Sequence, residues 1–440
     1  MRNDQKAHAQ QAAEEALRRH AQSRGKIQIM PKCDLRGPDD FSVWYTPGVA
    51  AACRAIQDEP ARVFELTNKA NSVAIVTDGS RVLGLGNIGP EAGLPVMEGK
   101  ALLFKYLGDV DAFPICLATQ NPDELVRTVE LLEPSFGGIN LEDIAQPKCF
   151  RVLERLRAKL NIPVWHDDQQ GSATVLIAGL ANALTIVGKS LSEIRIAMIG
   201  MGAANVSVYR LLKASGANPA AIVACDRTGT LHRGRNDVAA GQQAFPEKWA
   251  VCVESNADRV TGGIAEAMRG ADVCIAFSTP GPDVIRPEWV ANMAPDAILF
   301  ACANPVPEIL PPAAIAAGAR IVATGRSDFP NQVNNSLVFP AIFRGALDVR
   351  ARNISDEMAL AAAAELARCA QDAGLRRDCI LPHMDDVNAV ARVAAATGLK
   401  ALEQGIARNQ IDAGEYVHQV STRVRRVREN TAMLQRADAQ

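Results

Sequence analysis

Residues 194–216, IRIAMIGMGAANVSVYRLLKASG, combine a short apolar run, a glycine-containing turn and a longer helical segment. This order predicts a β-strand, a tight turn and an α-helix. Gly200 and Gly202 permit the turn and let a pyrophosphate approach the backbone at the helix N-terminus, and Ala203 and Ala204 follow them. By itself the glycine turn fits an ordinary tight βα turn equally well, and the strand before it, the helix after it and Asp226 further on favour a dinucleotide-binding unit.

The next predicted strand carries the second part of this dinucleotide site. Asp226 ends the strand, about 20 residues beyond the turn, where a carboxylate would bind the adenine ribose hydroxyls. That position favours NAD, but Arg227, Arg233 and Arg235 follow closely and could bind a 2′-phosphate. Asn205 replaces the third glycine of the GxGxxG pattern, so we expect a local adjustment where the helix packs on the strand. The sequence predicts NAD or NADP without deciding between them.

Short apolar runs alternate with Ala- and Leu-rich segments over most of the 440 residues. Continuous apolar runs are typical of parallel strands covered on both faces, and the alternation predicts an α/β fold with right-handed crossovers. We predict strands at residues 73–76, 113–117, 162–165, 194–200, 220–225, 272–277, 297–302 and 320–325. From about residue 355 only helical periodicity remains, with Ser355 as a candidate N-cap.

Three parts follow from this pattern. We predict an N-terminal α/β substrate domain at 1–165, a doubly wound, parallel-sheet, Rossmann-like domain that binds NAD(P) at 166–345, and a helical segment at 346–440 that packs back on the core. The formal net charge of −2 argues against nucleic-acid and anionic-membrane partners. Ten scattered cysteines, a charged N-terminus and no apolar run of bilayer length predict a cytoplasmic protein.

Two acidic pairs occupy similar positions, each after a strand-like run. Glu142 and Asp143 lie in GGINLEDIAQPKCF, and Asp167 and Asp168 lie in VWHDDQQGSATV. A single acidic pair is more often a helix N-terminal feature, stabilised by capping and by the macrodipole. Two pairs in matching contexts, in a chain with a dinucleotide turn, favour an oxygen-rich Mg²⁺ or Mn²⁺ site on irregular strand-end loops.

Three more side chains lie in segments that suit catalysis or substrate binding. Arg81, in a glycine-rich loop, is a candidate ligand for a substrate carboxylate. Lys100 lies at the start of an apolar helix, where burial near a carboxylate such as Asp167 would let it exchange protons near neutral pH. Tyr45 precedes a Thr-Pro-Gly turn. Taken singly, a surface helix lysine and an ordinary half-buried tyrosine are the more common interpretations.

Together these motifs resemble those of the malic enzymes of the bacterial short form. The resemblance runs from about residue 25 to about residue 350. It is carried by WYTPGVA, TDGSRVLGLGNIG, PVMEGKALLFK, NLEDI, HDDQQGSA, GMGAAN, ANPVPEI and TGRSDFPNQVNNSLVFPAIFRGALDV. Asn205 departs from the pattern and leaves the coenzyme preference open. Ser172, where threonine is common, is a mild departure.

The resemblance implies oxidative decarboxylation of (S)-malate to pyruvate and CO₂, with reduction of NAD or NADP. It implies that Glu142, Asp143 and Asp168 bind the divalent cation, Mg²⁺ or Mn²⁺. It also implies that Lys100 is the general base and that Asp167 supports it. The paired aspartates would thus have separate roles.

The resemblance assigns the remaining roles as well. Tyr45 would be the general acid, while Arg81 and Asn335 would bind the substrate carboxylates. Asn304 and Asn334 would lie along the interface between nicotinamide and substrate. It also implies a homo-oligomer of two or more subunits, in which a partner chain could supply an active-site residue.

Two alternatives stay open beside this interpretation. A related enzyme could act on malate or another 2-hydroxy acid without net decarboxylative reduction, as a plain dehydrogenase or a malolactic-type enzyme. A nucleotide-sensing protein without catalysis is less favoured, because every proposed chemical residue is present, although likeness of fold alone does not establish activity. Analysis of the reaction products separates these functions.

Overall fold

Two sheets, consecutive in the sequence, form the framework of the chain. The structure, a computed structural model, describes residues 2–437, with side chains described for 11–436. The first sheet is parallel throughout, in the order β2-β1-β3-β4. Its strands are β1 (Ser72–Thr77), β2 (Asp111–Cys116), β3 (Gly138–Leu141) and β4 (Val164–His166).

The second sheet has the order β10-β9-β8-β5-β6-β7 and is parallel except for β7. Its strands are β5 (Ile196–Ile199), β6 (Ile222–Asp226), β7 (Gly229–Thr230), β8 (Val273–Ala276), β9 (Ile298–Ala301) and β10 (Ile321–Thr324). The chain leaves β5 towards β6 on one side and reaches β8 on the other. This switch of direction is where doubly wound sheets bind dinucleotides.

Helices cover both sheets. Those up to the second sheet are α1 (Arg2–Ser23), α2 (Phe41–Trp44), α3 (Val49–Asp58), α4 (Val63–Leu66), α5 (Pro90–Gly108), α6 (Pro122–Leu132), α7 (Lys148–Lys159) and α8 (Ser172–Val187). The later ones are α9 (Ala203–Ala214), α10 (Asn236–Ala240), α11 (Pro246–Glu254), α12 (Ile264–Met268), α13 (Pro287–Val290), α14 (Pro311–Ala316), α15 (Phe339–Asp348), α16 (Asp356–Asp372), α17 (Val387–Glu403) and α18 (Ala413–Ala437).

The predicted α/β class and all eight predicted strands are present, each within a few residues of its expected bounds. The list of predicted strands lacked β3, whose short run is interrupted by the buried polar Asn140, and the two-residue β7. Ser355 does cap α16, since its Oγ accepts from the N–H of Met358 at 3.1 Å. Helix α5 begins at Pro90, a favourable first residue, so Lys100 lies in its middle and not at its start.

One cluster of buried apolar side chains is continuous across both sheets. It includes Ile75 in β1, Leu176 in α8, Phe343 in α15 and Ile275 in β8. Helix α16 packs on α8, α17 on α15, and α18 on α5 and α17. This packing supports our proposal that the residues beyond 346 form a helical segment that closes the core. Within the described residues, one segment, Asp167–Val187, has the length and apolarity of a membrane span, but it is mostly buried, as a core helix is.

Candidate active site

The paired aspartates open a π-helical turn that follows β4 directly and leads into α8. From this wider turn, Asp167 directs Oδ2 to Lys100 Nζ at 2.6 Å, and Asp168 Oδ2 accepts from the backbone N–H of Asp143 at 2.8 Å. A Cβ at Gly171 would lie 2.0 Å from Asp167 Oδ1, so the turn requires glycine there. We expected an irregular strand-end loop at this point, and the irregular element is a π turn. It directs the two carboxylates to different partners, in keeping with the separate roles predicted for them.

Glu142, Asp143 and Asp168 come together beyond the ends of β3 and β4. One oxygen from each lies within 4.8 Å of the others. Asp143 adopts a left-handed φ of 54°, an uncommon conformation that aspartate tolerates better than most residues. Its Oδ2 is buried without a hydrogen-bond partner, while Glu142 Oε2 accepts from Asn140 at 2.9 Å. Three converging carboxylates with an unmatched buried oxygen fit a hard divalent cation such as Mg²⁺ or Mn²⁺.

The charges of this cluster are not balanced by the protein alone. Burial raises the pKa of the Glu142 carboxyl well above its usual value, and Lys100 offsets this only in part. Burial, followed by the negative charge of Asp168, also raises the pKa of Asp143. Because the ionised forms are disfavoured by burial and mutual repulsion, bound positive charge would stabilise them.

Lys100 lies between two of the carboxylates. Its Nζ is 2.6 Å from Asp167 and 3.0 Å from Glu142, and it lies 4.5 Å from the centre of the Phe339 ring. Burial alone would lower the pKa of Lys100, but the attraction of Asp167 and Glu142 outweighs it and holds the pKa above its usual value. This direction is opposite to the lowering of the Lys100 pKa towards neutral pH that the sequence predicted.

The predicted substrate ligands lie at the edge of this cluster. The backbone N–H of Arg81 donates to the carbonyl of Asp143 at 3.0 Å, and the Arg81 side chain is exposed. Asn335 lies against the π turn, since a Cβ at Gly171 would be 3.1 Å from Asn335 Cβ. The exposed guanidinium and the amide thus come from separate segments that both contact the acidic cluster or its turn.

Loops from the two sheets meet around Asn304. A Cβ at Gly84, in the loop after β1, would lie 2.8 Å from the carbonyl oxygen of Asn304, in the loop after β9. A Cβ at Gly325 would lie 3.1 Å from the Asn304 amide. Asn334 caps the short turn that begins at Asn335, accepting from the N–H of Ser336 at 2.9 Å. The structure thus places Asn304 where the loops of both sheets touch.

The dinucleotide turn forms as the spacing predicts. Gly200 has φ +86°, and a Cβ there would lie 2.5 Å from the carbonyl of Phe277. Gly202 precedes α9 without a side-chain cap, so the first N–H groups of α9 are available to a phosphate. Asn205 Nδ2 donates to the carbonyls of Ile199 at 3.0 Å and Gly200 at 2.6 Å. Asn205, which replaces the third glycine, therefore links α9 to the turn through side-chain hydrogen bonds.

Replacing Asn205 with glycine is expected to lower the free energy of unfolding by about 1–3 kcal/mol, because two buried hydrogen bonds are lost. Chemical denaturation measures this change. Asn205→Ala is the matched control, since it removes the same bonds without the extra backbone freedom of glycine. A glycine variant as stable as the wild type would contradict the tying role of Asn205.

Asp226 ends β6 as expected, but it is not free. Arg235 donates to both of its oxygens at 3.1 and 3.0 Å, and Lys248 Nζ lies 2.5 Å away. Helix α9, which follows the dinucleotide turn, packs directly on the π turn that carries Asp167. The helix that follows the dinucleotide turn is therefore in direct contact with the turn that carries Asp167 and Asp168.

Sequence profiles of known families match both halves of this arrangement. The malic enzyme N-terminal domain matches residues 24–157, and the malic enzyme NAD-binding domain matches residues 169–402. The chain belongs to the malic enzyme family. It is an oxidoreductase, and malic enzymes of both the NAD-dependent and the NADP-dependent kind match it. The predicted resemblance is confirmed.

Individual malic enzymes match over most of their length. The bifunctional malic/malolactic enzyme of Bacillus subtilis (strain 168) is 48% identical over 406 residues, covering 91% of this chain and 96% of that protein. The NAD-dependent malic enzyme of Geobacillus stearothermophilus is 46% identical over 396 residues, covering 90% and 80%. The crystal structure of Entamoeba histolytica malic enzyme has a TM-score of 0.95 at 45% identity, covering 98% of this chain and 90% of that one.

Tyr45 is the one predicted catalytic residue that this malic enzyme chain does not bring to the cluster. Its side chain is 71% exposed, just after α2, and it makes no side-chain hydrogen bond within the described residues. Trp44 and Val43 beside it are also more than half exposed. The single chain therefore holds Lys100 beside the three-carboxylate cluster, but leaves Tyr45 at the surface.

Two buried polar residues that join loops of the site by hydrogen bonds, Glu308 and Ser80, were not predicted from the sequence. Glu308, fully buried, accepts from the N–H of Ser278 at 2.7 Å and of Ala303 at 3.0 Å, joining the loops after β8 and β9. Ser80 Oγ donates to Asp78 at 2.5 Å and accepts from the N–H of Ala145, joining the Arg81 loop to the Glu142 loop. A glutamate inside the apolar ANPVPEI motif was an available signal for the first.

Proposed function

We propose that this chain oxidises malate with NAD or NADP and decarboxylates the product to pyruvate and CO₂. The observation that carries the proposal is the position of Lys100. Its amino group lies 2.6 Å from Asp167 and 3.0 Å from Glu142, at the edge of a three-carboxylate cluster whose turn packs on the dinucleotide helix. Such a site joins a base, a cation site and a hydride acceptor.

The residues of the chain supply the proton transfers. Lys100, as a free amine held by Asp167, takes the proton of the substrate hydroxyl. Glu142, Asp143 and Asp168 would hold the divalent cation, which would supply Lewis-acid polarisation of the substrate oxygens and positive charge beside the carboxylates that keep Lys100 protonated. Bound NAD(P) would supply the hydride acceptor. Arg81 and Asn335 orient the substrate carboxylates. Tyr45 returns a proton to C3 after CO₂ leaves.

The direct test is a malate-dependent absorbance assay with NAD and NADP, run with and without a chelator. Pyruvate, CO₂ and one reduced coenzyme per turnover are expected, and the chelator should stop the reaction. Turnover that is insensitive to the chelator would contradict the cation site, and absence of pyruvate would contradict the reaction.

A second function is supported by one relative. The Bacillus subtilis protein is named a bifunctional malic/malolactic enzyme. In the malolactic outcome the coenzyme is retained and used again, so malate yields CO₂ and lactate without net reduction. Lactate without accumulation of reduced coenzyme would favour this function over the first.

We also propose that the chain works as a homodimer in the cytoplasm. Several large apolar side chains close to Tyr45 in the sequence are exposed: Ile29, Met30, Phe41, Val43, Trp44 and Val49. A segment rich in exposed apolar side chains supports a protein–protein interface, and two-fold symmetric dimers are the commonest homo-oligomers. All ten cysteines are free, as in a reducing compartment.

If the partner subunit supplies Tyr45, mixed dimers should regain activity. Lys100→Ala and Tyr45→Phe proteins are each expected to be inactive, but after subunit exchange they should give about a quarter of wild-type activity, since half of the dimers carry one intact site of two. Lys100→Ala mixed with Asp168→Asn is the matched control and should stay inactive, because both residues lie in one chain's cluster. An inactive first mixture would place Tyr45 in its own chain's site.

A further inference from the structure

The carboxylate of Asp226 has no room for the ribose hydroxyls that it was expected to bind. Oδ1 accepts from the N–H groups of Thr228 and Gly229 at 2.8 and 3.1 Å and from Arg235 at 3.1 Å. Oδ2 accepts from Arg235 at 3.0 Å and lies 2.5 Å from Lys248. Since each carboxylate oxygen offers about two lone pairs, its accepting capacity is used.

Asp226 nevertheless lies where the adenine ribose of a dinucleotide would be. The preceding residue, Cys225, pairs with Ile199 of β5, and its carbonyl accepts from the N–H of Gly200 at 2.8 Å. Asp226 therefore follows directly the residue of β6 that is hydrogen-bonded to Gly200 of the glycine turn. In this position an acidic side chain selects NAD only if its oxygens are free to accept from the ribose.

The cationic side chains around Asp226 differ in how many of their N–H donors are already hydrogen-bonded. Arg235 binds both Asp226 and Asp237, the latter through two bonds of 2.7 Å. Lys248, in the first turn of α11, has Asp226 as its only partner among the described residues, which leaves two of its N–H donors free. Arg227 is exposed at the tip of the β6–β7 hairpin and makes no described ion pair or hydrogen bond. Free cationic donors therefore remain beside a carboxylate that is already occupied.

We propose that this chain prefers NADP, with Asp226 acting as a holder of Lys248 and Arg235 and not as a ribose ligand, and with Lys248 and Arg227 binding the 2′-phosphate. The inference rests on the proposed use of NAD(P) at this site and deepens it. A phosphate dianion finds unused N–H donors there, whereas the 2′-hydroxyl of NAD finds no free acceptor on Asp226. Lys248 and Arg227 are then the residues that determine specificity.

The test measures coenzyme binding without malate or metal. Fluorescence titration should show NADPH binding at least about tenfold more tightly than NADH, and 2′,5′-ADP should compete better than 5′-AMP. Lys248→Ala should weaken NADPH about ten- to a hundredfold and NADH by less than about threefold, as expected for loss of one charge-assisted contact. Arg227→Ala, at an exposed position where folding is not in question, should shift the ratio in the same direction.

The matched control is Lys213→Ala. Lys213 lies in the last turn of α9, at the opposite end from the glycine turn, and pairs with Glu254, so its loss should leave the NADPH to NADH ratio unchanged. Equal or tighter binding of NADH by the wild type would overturn the inference alone. So would an unchanged ratio in both Lys248→Ala and Arg227→Ala. If neither coenzyme binds, the proposed function falls together with the inference.

Discussion

Lys100→Ala is expected to lower kcat for malate oxidation by about 10²–10⁴-fold, the usual contribution of a positioned general base. The amino group lies within 3.0 Å of Asp167 and Glu142, and no other lysine or arginine forms a described ion pair with either of them. Steady-state kinetics measures the loss. Coenzyme titration should show binding close to that of the wild type, because Lys100 lies on α5 and not on the dinucleotide turn.

The matched control is Lys105→Ala on the same helix. Lys105 is 44% exposed and pairs with Asp109 and Asp111, away from the acidic cluster. It should keep near-normal kcat. Partial rescue of Lys100→Ala by added methylamine would identify the missing group as an amine. A Lys100→Ala enzyme with wild-type turnover would refute the assignment of the base.

Asp168→Asn is expected to weaken Mn²⁺ binding by about 10–100-fold or more and to remove cation-dependent turnover. The amide keeps an oxygen that can accept from the N–H of Asp143, so the local structure should survive while one negative charge is lost. Mn²⁺ titration followed by electron paramagnetic resonance measures affinity without any need for activity. Thermal unfolding with and without Mn²⁺ gives a second reading, because a ligand of the folded state raises Tm.

Asp123→Asn provides the comparison for this variant. Asp123 is an exposed acid on α6 that pairs with Arg155 and lies outside the carboxylate cluster. Its loss should change neither Mn²⁺ affinity nor the increase in Tm. If Asp168→Asn bound Mn²⁺ as tightly as the wild type, the three-carboxylate cluster would not be the cation site.

The sequence predicted those parts of the site whose geometry is local. The glycine turn and the acidic pairs follow from strand ends, and the carboxyl ends of β3 and β4 lie side by side because the strands are parallel neighbours. The pairing of Asp226 with Lys248 was not predictable, because Lys248 arrives from a separate helix whose docking is a tertiary property. The raised pKa of Lys100 depends, in the same way, on the Asp167 carboxylate of the π turn and on the Glu142 carboxylate just beyond β3.

Tyr45 marks a different limit. Its motif predicts a turn correctly, yet the use of an exposed aromatic depends on what covers it, and that information is not local to the motif. Asn205 shows the opposite case. Its departure from the glycine pattern predicted a local adjustment where the helix packs on the strand. The structure shows what that adjustment is: the Asn205 amide donates hydrogen bonds to the carbonyls of Ile199 and Gly200.

The apolar cluster that runs without a break through α8 and α15 has a consequence for how such proteins can diversify. A chimaera that exchanges only the coenzyme-binding half would bring unmatched side chains into a close-packed interior, and large-to-small mismatches there cost about 2–5 kcal/mol each. Substitutions in the β6–β7 hairpin would not disturb this interior, since Arg227 at its tip is at the surface. A change of coenzyme preference in this architecture is therefore expected to arise by single substitutions in that hairpin, and not by recombination of whole domains.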